Sequence, residues 1–160
     1  MDTPGSGEGS PLLIVGLGNV LLMDDGVGVH AVRALQLKPP AGSQVVEVGT
    51  AVLDALDLLE AADLVLALDA IQSGGTPGTI YRLDPAGLEL KKTGTSLHEL
   101  DLLAALRMLP ADKRPRVIVL GVEPARIDYG LELTPEVAAA LPEFLDVVQR
   151  VAAEELPPAR

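Results

Sequence analysis

Short aliphatic runs along this chain alternate with longer segments in which apolar residues recur at helical spacing. The aliphatic runs predict strands; they lie at 12–15, 44–48, 64–68, 79–83 and 116–122. The other segments have an apolar residue every three or four positions and predict helices; they run from just after 24–26 to about 37, and at 52–61, 97–109 and 134–154. This alternation is typical of an α/β fold, a mostly parallel twisted sheet with helices on both faces.

The length and the ends of the chain set the expected domain limits. The chain has 160 residues, a length that suits one domain. Residues 1–10, which are mostly Gly, Ser, Pro and acidic residues, predict a disordered tail; 11–155 predict a single three-layer domain; 156–160 predict a flexible C-terminus. The link before Thr79 is too short for a crossover helix, so 79–83 is expected to be an antiparallel edge strand.

Two of the predicted helices have capping signals at their starts. Ser96 and Glu99 have the Ser-x-x-Glu spacing of a capping box. Thr134 stands before Pro135, which predicts a helix whose first turn is capped by the threonine hydroxyl.

Charge and composition exclude several classes of function. There are 23 acidic against 12 basic residues, a net charge of −11, which disfavours nucleic acid and anionic membranes as partners. Cysteine is absent, which excludes disulfides, thiolate metal sites, iron-sulfur clusters and a cysteine nucleophile. No apolar stretch reaches the roughly 18 to 20 residues that span a membrane, and no export signal is visible. We therefore expect a cytoplasmic protein.

Candidate chemistry lies where the predicted parallel strands end, because ligands of open α/β sheets bind outside the carboxyl ends of the strands. Asp24 and Asp25 follow the first strand, and Asp69 ends the third. His98 stands at the start of a helix, from which a loop could bring it over the same edge. Two carboxylates and one imidazole predict a metal site with open positions. The competing interpretation is structural. In it, Asp25 is an acid at a helix start, Asp69 only bonds the amides of a turn, and His98 is an ordinary surface or hydrogen-bonded histidine.

Two physical details favour the metal interpretation. Asp69 follows an unbroken apolar run, so its charge is expected at a partly buried edge, where it needs a partner. His98 falls in the first turn of its helix, where the helix dipole favours the neutral, ligating imidazole. The other histidine, His30, aligns with Arg33 on the polar side of its helix and is interpreted as a surface residue.

A series of short segments covers nearly the whole chain and resembles, in this order, the endopeptidases that mature the large subunit of nickel-iron hydrogenases. The segments are GLGNVLLMDDGVG (16–28), EVGT (47–50), LALDA (66–70), PGT (77–79), SLHEL (96–100), GVEP (121–124) and GLELTP (130–135). Each segment alone is weak, but their conjunction is specific.

The resemblance implies a single α/β domain in which Asp25, Asp69 and His98 bind the nickel of the immature large subunit. It implies an aspartyl-type endopeptidase that removes a short C-terminal peptide from the precursor after nickel insertion. The precursor is then the partner and supplies the nickel, although another divalent metal could occupy the site. Catalysis is expected to involve these three residues through the metal, which either polarises the scissile carbonyl or activates a water molecule. A monomer is expected.

The loops after the first two strands are expected to contact the substrate, through Gly18 and Asn19 and through Gly49 and Thr50. The family has Gly-Gly-Thr after the second strand, whereas this chain has Val48-Gly49-Thr50. The role of the second loop is therefore less securely implied than that of the first.

Three other function classes remain open at this point. A metal-dependent hydrolase of small substrates would use the same three residues, and a noncatalytic nickel-sensing or chaperone-like module would bind the precursor without cutting it. A nucleotide-binding protein is disfavoured, because the G-x-G-x-x-G pattern needs glycine at the position of Leu21. Asp24 and Asp25 would also repel a pyrophosphate from the helix start.

Overall fold

The computed structural model describes residues 11–84 and 97–157. The predicted tail at 1–10 lies outside the described residues, as do Ser96 of the capping box and residues 158–160 of the predicted flexible C-terminus.

Strands and helices alternate along the chain, as the hydrophobic pattern predicts. The strands are β1 (Leu12–Leu17), β2 (Ser43–Gly49), β3 (Leu64–Ala70), β4 (Ile80–Leu83) and β5 (Arg116–Val122). The α-helices are α1 (Val27–Leu35), α2 (Leu56–Ala61), α3 (Leu97–Arg107) and α4 (Pro135–Glu155). Short 3-10 helices lie at Met23–Gly26, Val52–Ala55 and Ala111–Lys113.

The strands form one five-stranded sheet in the order β2-β1-β3-β5-β4. Strand β1 pairs in parallel with β2 and β3, and β3 pairs in parallel with β5. Strand β4 runs antiparallel to β5 at the edge, so the predicted mostly parallel α/β sheet with an antiparallel edge strand is confirmed. The strand order reverses between β1 and β3, which is where such sheets open a crevice for ligands.

The register brings the carboxyl ends of the central strands to one side of the sheet, which we call the C-terminal edge. Leu12 lies opposite Leu64, which lies opposite Arg116, so β1, β3 and β5 begin level with one another. Asp69 lies opposite Gly121 near the other end. The loops that follow β1, β3 and β5 therefore emerge side by side.

Each face of the sheet is covered by its own helices. Side chains that alternate along a strand point to opposite faces, so Ile14 packs with α1 and α4 whereas Leu13 packs with α2 and α3. The single phenylalanine of the chain, Phe144 of α4, is fully buried on the first of these faces. We refer to them as the α1/α4 face and the α2/α3 face.

The start of α4 differs from the predicted cap. The hydroxyl of Thr134 makes no capping bond to an amide of the helix; it donates to Asp24 Oδ2 at 2.7 Å, and the Thr134 carbonyl accepts the amide of Ala138 at 2.8 Å. The buried Asp24 carboxylate is a strong hydrogen-bond acceptor. It lies 110 positions away in the sequence, so the residues around Thr134 do not reveal this contact. Among the described residues, no helix has the length and apolarity to cross a membrane.

Candidate functional site

Asp25 lies on the 3-10 helix Met23–Gly26, where the chain turns back after β1. Its Oδ2 accepts the amide of Asn19 at 2.9 Å, and its own amide donates to the carbonyl of Leu22 at 3.2 Å. Its side chain is 13% exposed. These local bonds hold the carboxylate in a fixed position at the C-terminal edge.

His98, on the first turn of α3, meets Asp25 across this edge. Its Nε2 lies 2.9 Å from Asp25 Oδ2, and its side chain is 16% exposed. Because an ionised carboxylate only accepts hydrogen bonds, Nε2 carries the proton and donates it. The bond joins a helix of the α2/α3 face to the entrance of α1 on the other face.

Asp69 lies one residue before the end of β3 and is fully buried. Its Oδ1 accepts the amide of Ala70 at 2.8 Å. Gly18, with φ +115°, separates it from the Asp25 backbone: a Cβ on Gly18 would lie 2.0 Å from the Asp25 carbonyl oxygen and 3.5 Å from Asp69 Oδ1. A glycine at this position is therefore what allows the two aspartates to approach one another.

The charges around His98 favour its protonated form. The hydrogen bond to Asp25 raises the pKa of His98; burial opposes this, and the negative charges of Asp69, Asp25 and Asp101 add to the increase. Burial raises the pKa of Asp25, but the bonds from His98 and Asn19 outweigh it and leave that pKa below its ordinary value. The helix dipole favours a neutral His98, whereas these carboxylates shift the pKa of His98 in the opposite direction.

The structure brings the three predicted ligands, Asp25, Asp69 and His98, to one edge but does not arrange them as a metal site. Within residues 11–84 and 97–157, no group of three histidine, aspartate or glutamate side chains is placed to hold a metal ion. Asp25 Oδ2 and His98 Nε2, two of the atoms that would bind the metal, are hydrogen-bonded to each other instead. The metal assignment stays a prediction, and it requires this bond to open.

The two predicted substrate loops lie next to each other. The amide of Gly18 donates to the carbonyl of Gly49 at 3.1 Å, which ties the end of β1 to the end of β2. Asn19 uses its amide on Asp25 and its side-chain oxygen on the amide of Leu21, so its visible role is to position the loop. Thr50 is exposed.

Thr50 also lines a groove of about 330 Å³ on the α2/α3 side of the edge. The groove is formed by residues 50–54 and by Asp101 and Ala104 of α3. Since Asp101 follows His98 by one helical turn, the groove lies beside the Asp25–His98 pair.

Sequence reasoning did not assign a separate role to Asp24, which the structure makes the anchor of the 3-10 helix. It is fully buried. Its carboxylate accepts the amides of Ala125 at 2.8 Å, Arg126 at 3.0 Å and Thr134 at 2.8 Å, together with the Thr134 hydroxyl. Neighbouring side chains of a 3-10 helix point about 120° apart, so Asp24 faces inward whereas Asp25 faces the edge.

Glu123 is a second buried carboxylate that sequence reasoning missed. It follows β5 and is 5% exposed, and its Oε1 accepts the amides of Ser73 at 3.0 Å and Gly75 at 2.9 Å and the hydroxyl of Tyr81 at 2.7 Å. Burial raises the pKa of Glu123, but these hydrogen bonds outweigh it and the pKa lies below its ordinary value. Glu123 thereby fixes the loop after β3; its place at the end of a buried strand was the available signal.

His30 is not the surface residue that its helical position predicts. Its Nε2 is buried and has no hydrogen-bond partner among the described residues. Burial and the positive charge of Arg33 lower the pKa of His30, while a backbone bond at Leu131 opposes them. The loop before α4 covers the imidazole, which the spacing within α1 does not show.

Comparison with known proteins identifies the family to which the chain is similar. The sequence model of the hydrogenase maturation protease family (HycI) matches residues 29–151, a range that includes Asp69 and His98 and begins just after Asp25. The hydrogenase expression/formation protein HupD of Thiocapsa roseopersicina is 35% identical over 136 residues, 79% of this chain. This chain spans 60% of the length of that relative.

A curated sequence and a solved structure from Escherichia coli both match over most of their length. The hydrogenase 2 maturation protease of strain K12 is 32% identical over 144 residues, 86% of this chain and 87% of the relative. The solved structure of the E. coli hydrogenase maturating endopeptidase HybD superposes with a TM-score of 0.79 at 30% identity, covering 91% of this chain and 93% of that one. On this evidence the chain belongs to the hydrogenase maturation protease family.

Proposed function

We propose that this protein is an endopeptidase that removes a short C-terminal peptide from the nickel-loaded precursor of a nickel-iron hydrogenase large subunit. Nickel carried by the substrate is the recognition element in this proposal. Family membership supports the class of reaction. The observation that carries the proposal at the level of residues is the 2.9 Å contact between Asp25 Oδ2 and His98 Nε2 at the sheet edge, with Asp69 close by.

The donor set suits an ion that arrives with its own ligands. Two carboxylates and one imidazole would give an open shell of hard and borderline donors, too weak to hold nickel permanently. The chain has no cysteine, so any thiolates around the ion belong to the substrate. A precursor without nickel then lacks the bridge between the two proteins and binds poorly.

Binding of the ion requires the hydrogen bond between His98 and Asp25 in the free protein to break. His98 Nε2 must lose its proton before it can act as a ligand, and Asp25 Oδ2 must turn from the imidazole to the ion. The bond holds both side chains at the edge in the meantime. Asp69, fixed by the amide of Ala70, supplies the second carboxylate and the third ligand from the floor of the site.

We propose water as the nucleophile for the cleavage. The groups gathered at the edge are carboxylates and an imidazole, which act on water as general bases or through a metal ion, rather than as acyl acceptors. The groove at 50–54 is the path for the polypeptide beside the scissile bond, since it opens next to the Asp25–His98 pair.

The test is to incubate the protein with a candidate large-subunit precursor, with and without inserted nickel, and to measure the intact mass of the precursor. Shortening at the C-terminus only with nickel supports the proposal. Stable binding without a change of mass indicates a noncatalytic module, and cleavage of generic peptides or esters with free metal indicates a hydrolase of small substrates. His98→Gln should abolish shortening, whereas His30→Gln is the matched control that should retain it.

A further inference from the structure

Exposed large apolar side chains gather on two loops beside the 3-10 helix that carries Asp25. Tyr129 is 89% exposed, Leu131 66% and Leu21 58%, and Ile127 is exposed as well. We call these four residues the ledge. Single exposed leucines are ordinary on protein surfaces, but several large apolar side chains grouped next to a site are typical of an interaction surface.

The ledge is held rigidly by backbone bonds between its two loops. The amide of Gly130 donates to the carbonyl of Leu21 at 2.9 Å, and the amide of Met23 donates to the carbonyl of Gly130 at 2.9 Å. A Cβ on Gly130 would lie 2.9 Å from Met23 Cγ, so the Met23 side chain packs closely against this glycine. Asp24 ties the same loop down through the amides of Ala125 and Arg126. A preformed surface of this kind loses little conformational entropy when it binds.

A short chain of hydrogen bonds connects the ledge to the candidate active site. The amide of Leu21 donates to Asn19 Oδ1 at 2.9 Å, and the amide of Asn19 donates to Asp25 Oδ2 at 2.9 Å. The ledge loop continues through Leu133, which packs against the core of the α1/α4 face. The groove at 50–54 lies on the other face, so the Asp25–His98 pair stands between the two surfaces.

We propose that the ledge is the docking surface for the folded body of the precursor whose C-terminal peptide is cut at the Asp25–His98 pair. This inference rests on the proposed function. A polypeptide cut at this pair must cross the C-terminal edge, and the groove suits its extended segment. Protruding side chains on a rigid loop suit the apolar hollows of a folded partner instead. Arg126 pairs with Asp128 of the same loop at 3.0 Å, and the four side chains that form the ledge carry no charge, so we expect apolar contacts to dominate docking through them.

The experiment measures precursor processing by Tyr129→Ser and Leu131→Ser proteins at increasing precursor concentration. Each substitution should raise KM for the nickel-loaded precursor about tenfold, the effect typical of a central apolar anchor, and leave kcat unchanged. The increase should persist at high salt, because apolar contacts are not screened. Leu37→Ser is the matched control: Leu37 is 88% exposed just after the end of α1, away from the C-terminal edge, and its loss should change neither parameter.

The outcomes separate the docking surface from the proposed function. A wild-type protein that processes the precursor, with ledge variants of unchanged KM, overturns the docking surface and leaves the function standing. A wild-type protein that leaves the nickel-loaded precursor intact overturns both. Sedimentation of the free proteins tests self-association: a wild-type dimer that Tyr129→Ser converts to a monomer assigns the ledge to a second copy of this chain and overturns the proposal.

Discussion

Asp25 and His98 are 73 positions apart in the sequence and are joined by one hydrogen bond of 2.9 Å across the C-terminal edge of the sheet. Each side chain belongs to a different face: Asp25 lies just before α1, and His98 lies in the first turn of α3. The bond is therefore the point at which the two helical layers meet over the strand ends, and it places an acid and an imidazole where substrates of α/β proteins bind.

Removing the charge of Asp25 while keeping the shape of its side chain should abolish processing activity with little loss of stability. Asn in Asp25→Asn still presents an oxygen to the Asn19 amide and the His98 ring, so we expect a loss of less than about 1 kcal/mol in unfolding free energy. Asp25→Ala removes the acceptor and should cost about 1–3 kcal/mol, because both partners are partly buried. Processing should be abolished in both. Urea unfolding and precursor mass measure the two effects, and an active Asp25→Asn protein would contradict the assigned role.

Most of the fold could be predicted from the sequence, and so could the position of the site. The aliphatic runs are uninterrupted, and neighbouring parallel strands end at the same edge of a sheet, which places Asp69 near the end of β1. The alternation of strand and helix then leaves only one edge at which the loop acids can gather. These features depend on periodicity and connectivity, which a single sequence carries.

The fine arrangement of the site could not be predicted, because it depends on contacts between distant segments. The sequence does not show which of two adjacent acids faces inward: Asp24 does, because the loop that carries Ala125 and Arg126 offers it amide donors. Nor does it show that carboxylates from other elements surround His98 and raise its pKa. Both facts depend on how the loops after β1 and β5 and the start of α3 pack together.

Gly18 should be far more sensitive to substitution than Gly49, although both have positive φ. A Cβ at Gly18 would lie 2.0 Å from the Asp25 carbonyl oxygen, whereas the nearest atom to one at Gly49 is the Gly18 carbonyl oxygen at 3.6 Å. We expect Gly49→Ala to cost about 1–2 kcal/mol for its backbone conformation alone. Gly18→Ala should cost more than about 3 kcal/mol, because the Asp25 backbone must also move. Equal unfolding free energies for the two variants would rule out this packing.

The role of Asp24 as an anchor predicts a graded loss of stability. Asn in Asp24→Asn would turn an amide donor toward groups that are themselves donors, and we expect a loss of about 2–4 kcal/mol. Thr134→Val removes only the hydroxyl that donates to Asp24 Oδ2 and should cost about 1 kcal/mol. Chemical denaturation measures both. If Thr134→Val is as damaging as Asp24→Asn, the hydroxyl has a role beyond this bond.

We expect the Glu123 carboxylate to stabilise the folded protein at neutral pH and to lose this contribution in acid. Its pKa in the folded protein lies below the ordinary value, so the folded state binds a proton less readily than the unfolded chain. The contribution is therefore fully present above the unfolded pKa of about 4.3 and is lost as pH falls through the lower folded pKa. Glu123→Gln should accordingly be less stable than the wild type near pH 7, and the gap should narrow as pH falls below about 4.3.

The matched control for this carboxylate is Tyr81→Phe, which removes the phenol that donates to Glu123 Oε1 at 2.7 Å but keeps the amides of Ser73 and Gly75. With one donor fewer, the folded pKa of Glu123 moves back toward its ordinary value, so the acid-dependent difference from Glu123→Gln should be smaller than in the wild type. Urea unfolding of all three proteins between pH 3 and pH 7 gives these differences directly. A gap that stays constant over this range would mean that Glu123 acts by shape alone, because a structural effect independent of its charge has no reason to follow its protonation.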